Sequence, residues 1–371
     1  MVAALGLTGV LAKTHDHPGP GGAGVPTTST PGGPSSPRAP KPIAVPGSAA
    51  KLLGQRIMVG FSGISPSAAL LRAVRRGEVG SVILFAPNIV SRSQTLSMIG
   101  ALQRAARAGG NSKLLIAVDQ EGGQVKRLPT EPPSLSPPEM VHTGSVSTAS
   151  GQGRATARAL KRWGIRMNLA PVTDVPTYGG AFVWRQGRAF SFNASTVARY
   201  ATAFAVGLQS RGVAATAKHF PGLGSAPIDT DFKRQELHPS AAQRAAALKP
   251  YQAMIARGLD AVMLSVAGFP AYDSSGTVAA LSRPIIGRLR GRLGFGGVTI
   301  TDSLGTPTGH DEITAGVLAA SAGADILLFT DSAPGELGRL RSALANGQIK
   351  RGEAAASYRR IITLKRKLGL A

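Results

Sequence analysis

The stretch KHFPGLGSAPIDTDF, Lys218 to Phe232, places a cation, an imidazole and two carboxylates, Asp229 and Asp231, on one loop punctuated by glycine and proline. Two further aspartates close apolar runs elsewhere: Asp119 ends KLLIAVD and Asp302 ends the run GVTITD. A polar group at the end of a buried strand costs desolvation unless it finds a partner. Asp119, Lys218, His219 and Asp302 at one rim can pair with each other or with a polyhydroxyl ligand. A single such residue reads more simply as a cap on the next helix, and Asp331 is read that way. His142, His238 and His310 read as surface or structural residues. The chain has no cysteine and no HExxH pattern, so no metal site and no cofactor is expected. Walker loops and a GxSxG elbow are absent as well. Carboxylates remain as the catalytic candidates, and paired carboxylates are the usual machinery of glycoside hydrolysis.

These residues need elements to position them. From Ala50 onward, short β-branched and apolar runs alternate with Ala/Arg/Leu-rich helical stretches. The strand candidates are RIMVGFS (56–62), GSVILF (80–85), KLLIAVD (113–119), RMNLAPV (166–172), VAATAKHF (213–220), DAVMLS (260–265), GVTITDS (297–303) and ADILLFT (324–330). Eight β-α units predict a single-domain (β/α)8 TIM barrel over residues 50–371, whose active site lies at the C-terminal ends of the strands. The competing architecture is a doubly wound open sheet. MVGFSGISP after the first strand is not its Gly-rich fingerprint. The basic helix EAAASYRRIITLKRKLGL is expected to finish the domain, with no second domain after it.

Residues 1–12 contain the apolar run VAALGLTGVLA, too short to span a bilayer and similar to the core of an export signal or the remnant of an anchor. Residues 13–49 are rich in Pro, Gly, Ser and Thr and read as a disordered linker. Together they predict an extracytoplasmic protein, secreted or held at a membrane or wall. The net charge of +23 invites a nucleic-acid reading. The arginines are scattered over helical stretches and aromatics make up only 5% of the chain, so no stacking platform is interleaved with them and no nucleic-acid partner is expected. An anionic wall or membrane surface suits a basic exported protein, and so does a plain surplus of arginine on solvated faces.

The motifs AVDQEGGQVKRL (117–128), NLAPVTDV (168–175), GRAFS (187–191), AKHFPGLG (217–224), VMLS (262–265) and GVTITDSL (297–304), in this order, resemble the N-terminal barrel domain of glycoside hydrolase family 3, most of all its bacterial single-domain β-N-acetylhexosaminidases. The resemblance implies a retaining enzyme that cleaves a β-glycosidic bond at a non-reducing end, acting on N-acetylglucosamine-containing wall or chitin fragments. Asp302 matches the family nucleophile. Asp119, Arg127, Arg188, Lys218 and His219 match residues that hold the sugar, while Asn168 and Asp174 read as supports for the fourth strand's loop. The chain departs from the pattern in the opening loop. The family carries a histidine acid/base where this chain has Asp231, paired with the aspartate matching Asp229. Its GHG is here GLG with Leu223, and its strand-three arginine is here Gln124. Three readings stay open: Asp231 is the acid, with its pKa raised by Asp229 and Asp302; Glu236 or His238 supplies the proton; or the barrel binds wall glycan without turning it over. A family 3 β-glucosidase is the alternative enzyme, weakened because those enzymes carry their acid/base in a further domain.

Overall fold

The computed structural model describes residues 42–330 and 337–371, together with His15. The export-segment reading of residues 1–12, nearly all of the linker and Asp331 lie outside the described residues. Each of the eight apolar runs forms one strand of a parallel sheet: β1 (Ile57–Val59), β2 (Ser81–Leu84), β3 (Leu115–Val118), β6 (Met167–Asn168), β7 (Ala214–Phe220), β8 (Ala261–Leu264), β9 (Val298–Thr301) and β10 (Leu327–Phe329). A two-stranded antiparallel hairpin, β4 (Gln120–Gly122) and β5 (Val125–Lys126), springs directly from the end of β3. The sheet order is β10-β1-β2-β3-β6-β7-β8-β9. A parallel bridge between Ile300 and Ile326 joins its two edges, with Thr301 N–H donating to the Ile326 carbonyl at 3.0 Å and Ile326 N–H to that of Thr299 at 2.9 Å. The sheet is thus a closed (β/α)8 barrel with helices around it.

Regular pairing is shorter than the apolar runs. The fourth run, expected over 166–172, is regular only at Met167–Asn168, because Pro171 has no N–H for the ladder. Its carbonyls still serve: Thr216 N–H reaches the Ala170 carbonyl at 2.9 Å and Lys218 N–H that of Pro171 at 3.2 Å. Alternation along the strands splits the core in two. Met58, Ile83, Leu115, Met167, Met263, Ile300 and Leu328 fill the barrel interior. Ile57, Val82, Ile116, Val262 and Leu327 face the helices. Each such side chain contributes roughly 1.5–3 kcal/mol on burial. Helices begin where Ser67, Ser91, Asn193, Ser240 and Asp311 cap free N–H groups with side-chain oxygens.

The floor of the barrel, at the N-terminal ends of the strands, is packed shut. Ile361, Leu364, Leu368 and Leu370 of the C-terminal helix (Arg351–Lys367) and its tail join the interior core, and the Leu370 carbonyl accepts from Lys113 N–H at 2.9 Å. Asp325, fully buried, takes Arg290 and Arg360 as partners, and Lys367 Nζ meets Asp260 Oδ1 at 2.6 Å. Lys365 is buried too, donating to Gln55 Oε1 at 2.6 Å and the Gly80 carbonyl at 2.8 Å. Burial pushes its pKa down to about 7. Within the barrel itself, only the opposite end is left to hold a ligand.

Candidate active site

At the C-terminal ends of the strands lies a cavity of about 320 Å³, at the small end of the range for ligand pockets and sized for a single sugar ring rather than a long chain. Six segments bring its charged side chains. β3 ends in Asp119. The hairpin adds Glu121 and then Arg127, whose N–H bonds the Asp119 carbonyl at 3.2 Å. The turn after the short helix Phe182–Arg185 gives Gln186 and Arg188, β7 gives Lys218 and His219, and its following loop gives Asp229 and Asp231. Asp302 stands at the end of β9.

The cations are held rather than free. Lys218 Nζ lies 2.6 Å from Asp119 Oδ1 and 2.7 Å from Glu121 Oε1. Arg188 grips Glu121 through two parallel bonds, Nε to Oε2 at 2.8 Å and a terminal nitrogen to Oε1 at 2.9 Å, the strongest form of such a pair. Burial by itself would push the Glu121 carboxyl up, but Arg188 and Lys218 outweigh it and hold it at about 2. For Lys218, burial works toward the neutral amine, yet Asp119 and Glu121 prevail and raise its pKa. Arg127 sits 4.0 Å from Asp119 Oδ2, and a terminal nitrogen of Arg188 4.0 Å from Asp229 Oδ2.

His219 is oriented by the floor of its own loop. Its Nδ1 meets Asp174 Oδ2 at 2.8 Å, while Oδ1 of that buried carboxylate accepts from the backbone N–H of His219 at 3.2 Å and of Leu223 at 2.7 Å. Nδ1 is thereby committed to Asp174 and the other ring nitrogen is left for the cavity. Gly224 must be glycine: a Cβ there would collide with the Val175 carbonyl. The same close approach lets Thr177 N–H bond the Gly224 carbonyl at 2.9 Å, pinning the loop across to the β6 side.

Asp229 and Asp231 differ in their surroundings. Asp229 Oδ2 accepts from Gln186 Nε2 at 3.1 Å and Oδ1 from the Asp231 backbone N–H at 3.2 Å. Asp231 remains open to solvent on the loop, but its carboxyl faces the crowded mouth. Desolvation there, with the charges of Asp302 and then Asp229, pushes its pKa up to about 6 against the weaker pull of His219 and Arg188. Asp302 is half-buried and accepts from Ser303 N–H at 2.9 Å. No cation lies within ion-pair distance of Asp231 or Asp302 among the described residues. All eight residues singled out in the sequence therefore share one cavity. Glu236 and His238 do not line it; they pair with each other on the exposed surface at 3.3 Å. Gln124 lines the mouth and Leu223 is fully buried. Asn168 and Asp174 act as supports, Asn168 exchanging two bonds with the Gln120 backbone at 3.0 and 2.9 Å.

Sequence reasoning passed over Glu121, the buried hub that binds both Lys218 and Arg188. Its signal was a second carboxylate two residues after Asp119, at the same strand end. Gln186, two residues before Arg188, was missed likewise.

A parallel eight-stranded barrel with a small, charge-lined mouth is the class of molecule that fold and site define. The model of the glycosyl hydrolase family 3 N-terminal domain matches residues 50–364. A secreted glycosyl hydrolase of uncharacterised activity from Arthroderma benhamiae is 34% identical over 85% of this chain and 92% of that protein. The family 3 β-N-acetylglucosaminidase of a Paenibacillus species superposes with a TM-score of 0.82 at 31% identity, covering 87% of this chain; the chain spans 63% of that protein's length. The β-N-acetylhexosaminidase of Beutenbergia cavernae superposes with a TM-score of 0.79 at 29% identity, over 87% of this chain and all of that one. The chain belongs to glycosyl hydrolase family 3 and is an O-glycosyl hydrolase.

Proposed function

We propose that the protein is a retaining β-N-acetylglucosaminidase that removes a single terminal sugar from wall or chitin fragments outside the cytoplasm. The observation that carries this reading is the pair Asp231 and Asp302: two carboxylates at one small mouth, neither ion-paired, one of them with its pKa pushed up to about 6. Opposed protonation states are what glycoside hydrolysis asks of two carboxyl groups. Asp302, ionised, attacks the anomeric carbon while Asp231, protonated, gives its proton to the departing glycosidic oxygen. A glycosyl ester on Asp302 results. Asp231, now a carboxylate, takes a proton from water as that water attacks the anomeric carbon and Asp302 leaves. Asp119, Arg127, Arg188, Lys218 and His219 hold the sugar hydroxyls through charge-assisted bonds, and Asp229 stands beside Asp231, accepting from its backbone N–H. The size of the cavity supports one sugar at a time, and the Beutenbergia and Paenibacillus enzymes supply the acetamido sugar. Export is supported by the Arthroderma relative's description as secreted; no helix among the described residues is long and apolar enough to cross a membrane.

The test is release of sugar from aryl β-glycosides, N-acetylglucosaminide and glucoside included, across pH 4 to 8, with Asp302→Asn beside the native chain. Turnover of the N-acetylglucosaminide that falls by about 10⁴-fold or more in the variant is the expected result. Preference for the glucoside would replace the sugar. Absence of turnover on every sugar, with leaving groups that need little acid help, would leave a glycan-binding barrel.

A further inference from the structure

Charge is distributed unevenly around the outside of the barrel. On the side of β8 to β10, five cations are answered by carboxylates, Arg283 by Glu353, Arg341 by Glu78, Arg290 and Arg360 by Asp325, Lys367 by Asp260, while Arg292, Arg351 and Arg359 are exposed without such a partner among the described residues. The three outer helices that follow β3, β6 and β7 are Val146–Arg162, Ala194–Gln209 and Ala241–Ile255, and they contain no aspartate or glutamate at all. They stand side by side, the second and third tied by Lys249 Nζ to Ser195 Oγ at 2.7 Å and Gln209 Nε2 to the Gly258 carbonyl at 3.0 Å. Arg158, Lys161, Arg199, Arg211 and Arg257 on or just after them are exposed and have no carboxylate partner among the described residues. Where the first two of these helices end, a groove of about 690 Å³ is lined by Arg158, Lys161, Arg162, Ser210, Arg211 and Gly212. Among the described residues, Arg162 alone of its four cations is ion-paired, to Glu131 at 2.9 Å.

Helix C-termini favour nearby cations, and this accounts for a lysine or arginine in a last turn. It does not account for three whole helices without one acid, since opposite charges four residues apart would stabilise each of them. A groove with three unpaired cations and no acid in its lining is complementary to a polyanion. Three of its four cations are arginines, whose planar fork matches phosphate oxygens. None of the large exposed apolar side chains among the described residues lies on these helices, so a bilayer finds no anchor to bury and bases find no ring to stack on.

We infer that this groove docks the enzyme onto a linear polymer of phosphodiester-linked polyols, one strand lying along Arg158, Lys161 and Arg211. The inference does not depend on which sugar the mouth cleaves. The test is binding of the full chain to purified poly(glycerol phosphate) between 50 and 300 mM salt. Two triple variants accompany it: Arg158→Gln, Lys161→Gln, Arg211→Gln, and as a control Arg72→Gln, Arg104→Gln, Arg107→Gln, which removes equal charge from exposed sites on other helices. Thermal melting checks that both remain folded. The groove variant should bind about 10-fold or more weakly, with the slope of log K against log salt reduced by about 2, as for three lost phosphate contacts, and the control should stay within about 2-fold of native. No binding at 50 mM salt, or equal loss in both variants, would overturn the site. Equal affinity for phosphatidylglycerol vesicles or for duplex DNA at the same phosphate concentration would overturn the choice of polymer.

Discussion

The barrel buries charge at both ends of the same strands, and the two ends differ in what they leave over. At the floor, Asp325 receives Arg290 and Arg360, Asp260 receives Lys367, and even the carboxylate-free Lys365 has two oxygen acceptors. Nothing there faces a cavity. At the mouth, Lys218 and Arg188 are just as firmly held by Asp119 and Glu121, but Asp231 and Asp302 stand beside them without a countercharge and look into open space. A cluster whose charges are matched locks packing. A cluster that holds its cations on one side and leaves two carboxylates bare on the other has groups free to trade protons and form bonds. The neighbourhood of Glu121 belongs in kind to the floor: it is scaffolding placed at the mouth.

Three experiments break or sharpen that contrast. The largest effect is expected at Asp231. With a pKa of about 6, the protonated acid disappears above that pH, so kcat/KM on substrates with poor leaving groups should fall about tenfold per pH unit on the alkaline limb. Asp231→Asn should cost about 10² to 10⁴-fold on those substrates, erase that limb, and spare activated aryl glycosides far more. An alkaline limb unchanged in the variant would assign the proton to another group. Next comes Glu121→Gln, which leaves Lys218 and Arg188 with half their countercharge in a buried place and should cost about 3–5 kcal/mol in chemical unfolding. The native carboxyl is held at about 2 against 4.5 for the free group, so its contribution is complete above pH 4.5 and fades as pH falls toward 2. The variant should lack that acid-side loss. A melting temperature unmoved by the substitution would mean Glu121 is not scaffolding.

The smallest effect belongs to the floor. Between pH 7 and 10.5 the unfolded chain keeps the Lys365 proton and the folded chain does not, so this group makes stability rise with pH across that window. Lys365→Met should remove that rise and leave stability at pH 7 equal or higher by about 1 kcal/mol, since Gln55 and Gly80 keep other donors, Ser112 at 3.4 Å and Leu115 N–H at 3.2 Å. Melting curves at pH 7, 8 and 9 read the difference directly; a marked destabilisation would show that the floor depends on this ammonium.

Much of this was legible in the chain. Strands of a closed parallel barrel are buried on both faces and read as continuous apolar runs, so all eight were visible and the polar residues at their ends pointed to one mouth. What pairs with what was not visible. Glu121 meets Arg188 across 67 residues, and Asp174 meets His219 across 45; those distances are closed by topology, not by local pattern. The floor was hidden for another reason. In RRIITLKRKLGL, Lys365 looks like one more solvated cation, yet Ile361, Leu364, Lys365 and Leu368 fall at the spacing of a helix's apolar stripe, and that stripe faces the barrel interior.

The basic groove forms where two outer helices end, at the floor, while the mouth opens at the other end of the strands. A molecule moored by its floor therefore faces outward, away from the strand that carries it. It would not graze on its own mooring but harvest pieces drifting past, and its output would follow the supply of loose fragments, not the density of anchoring chains.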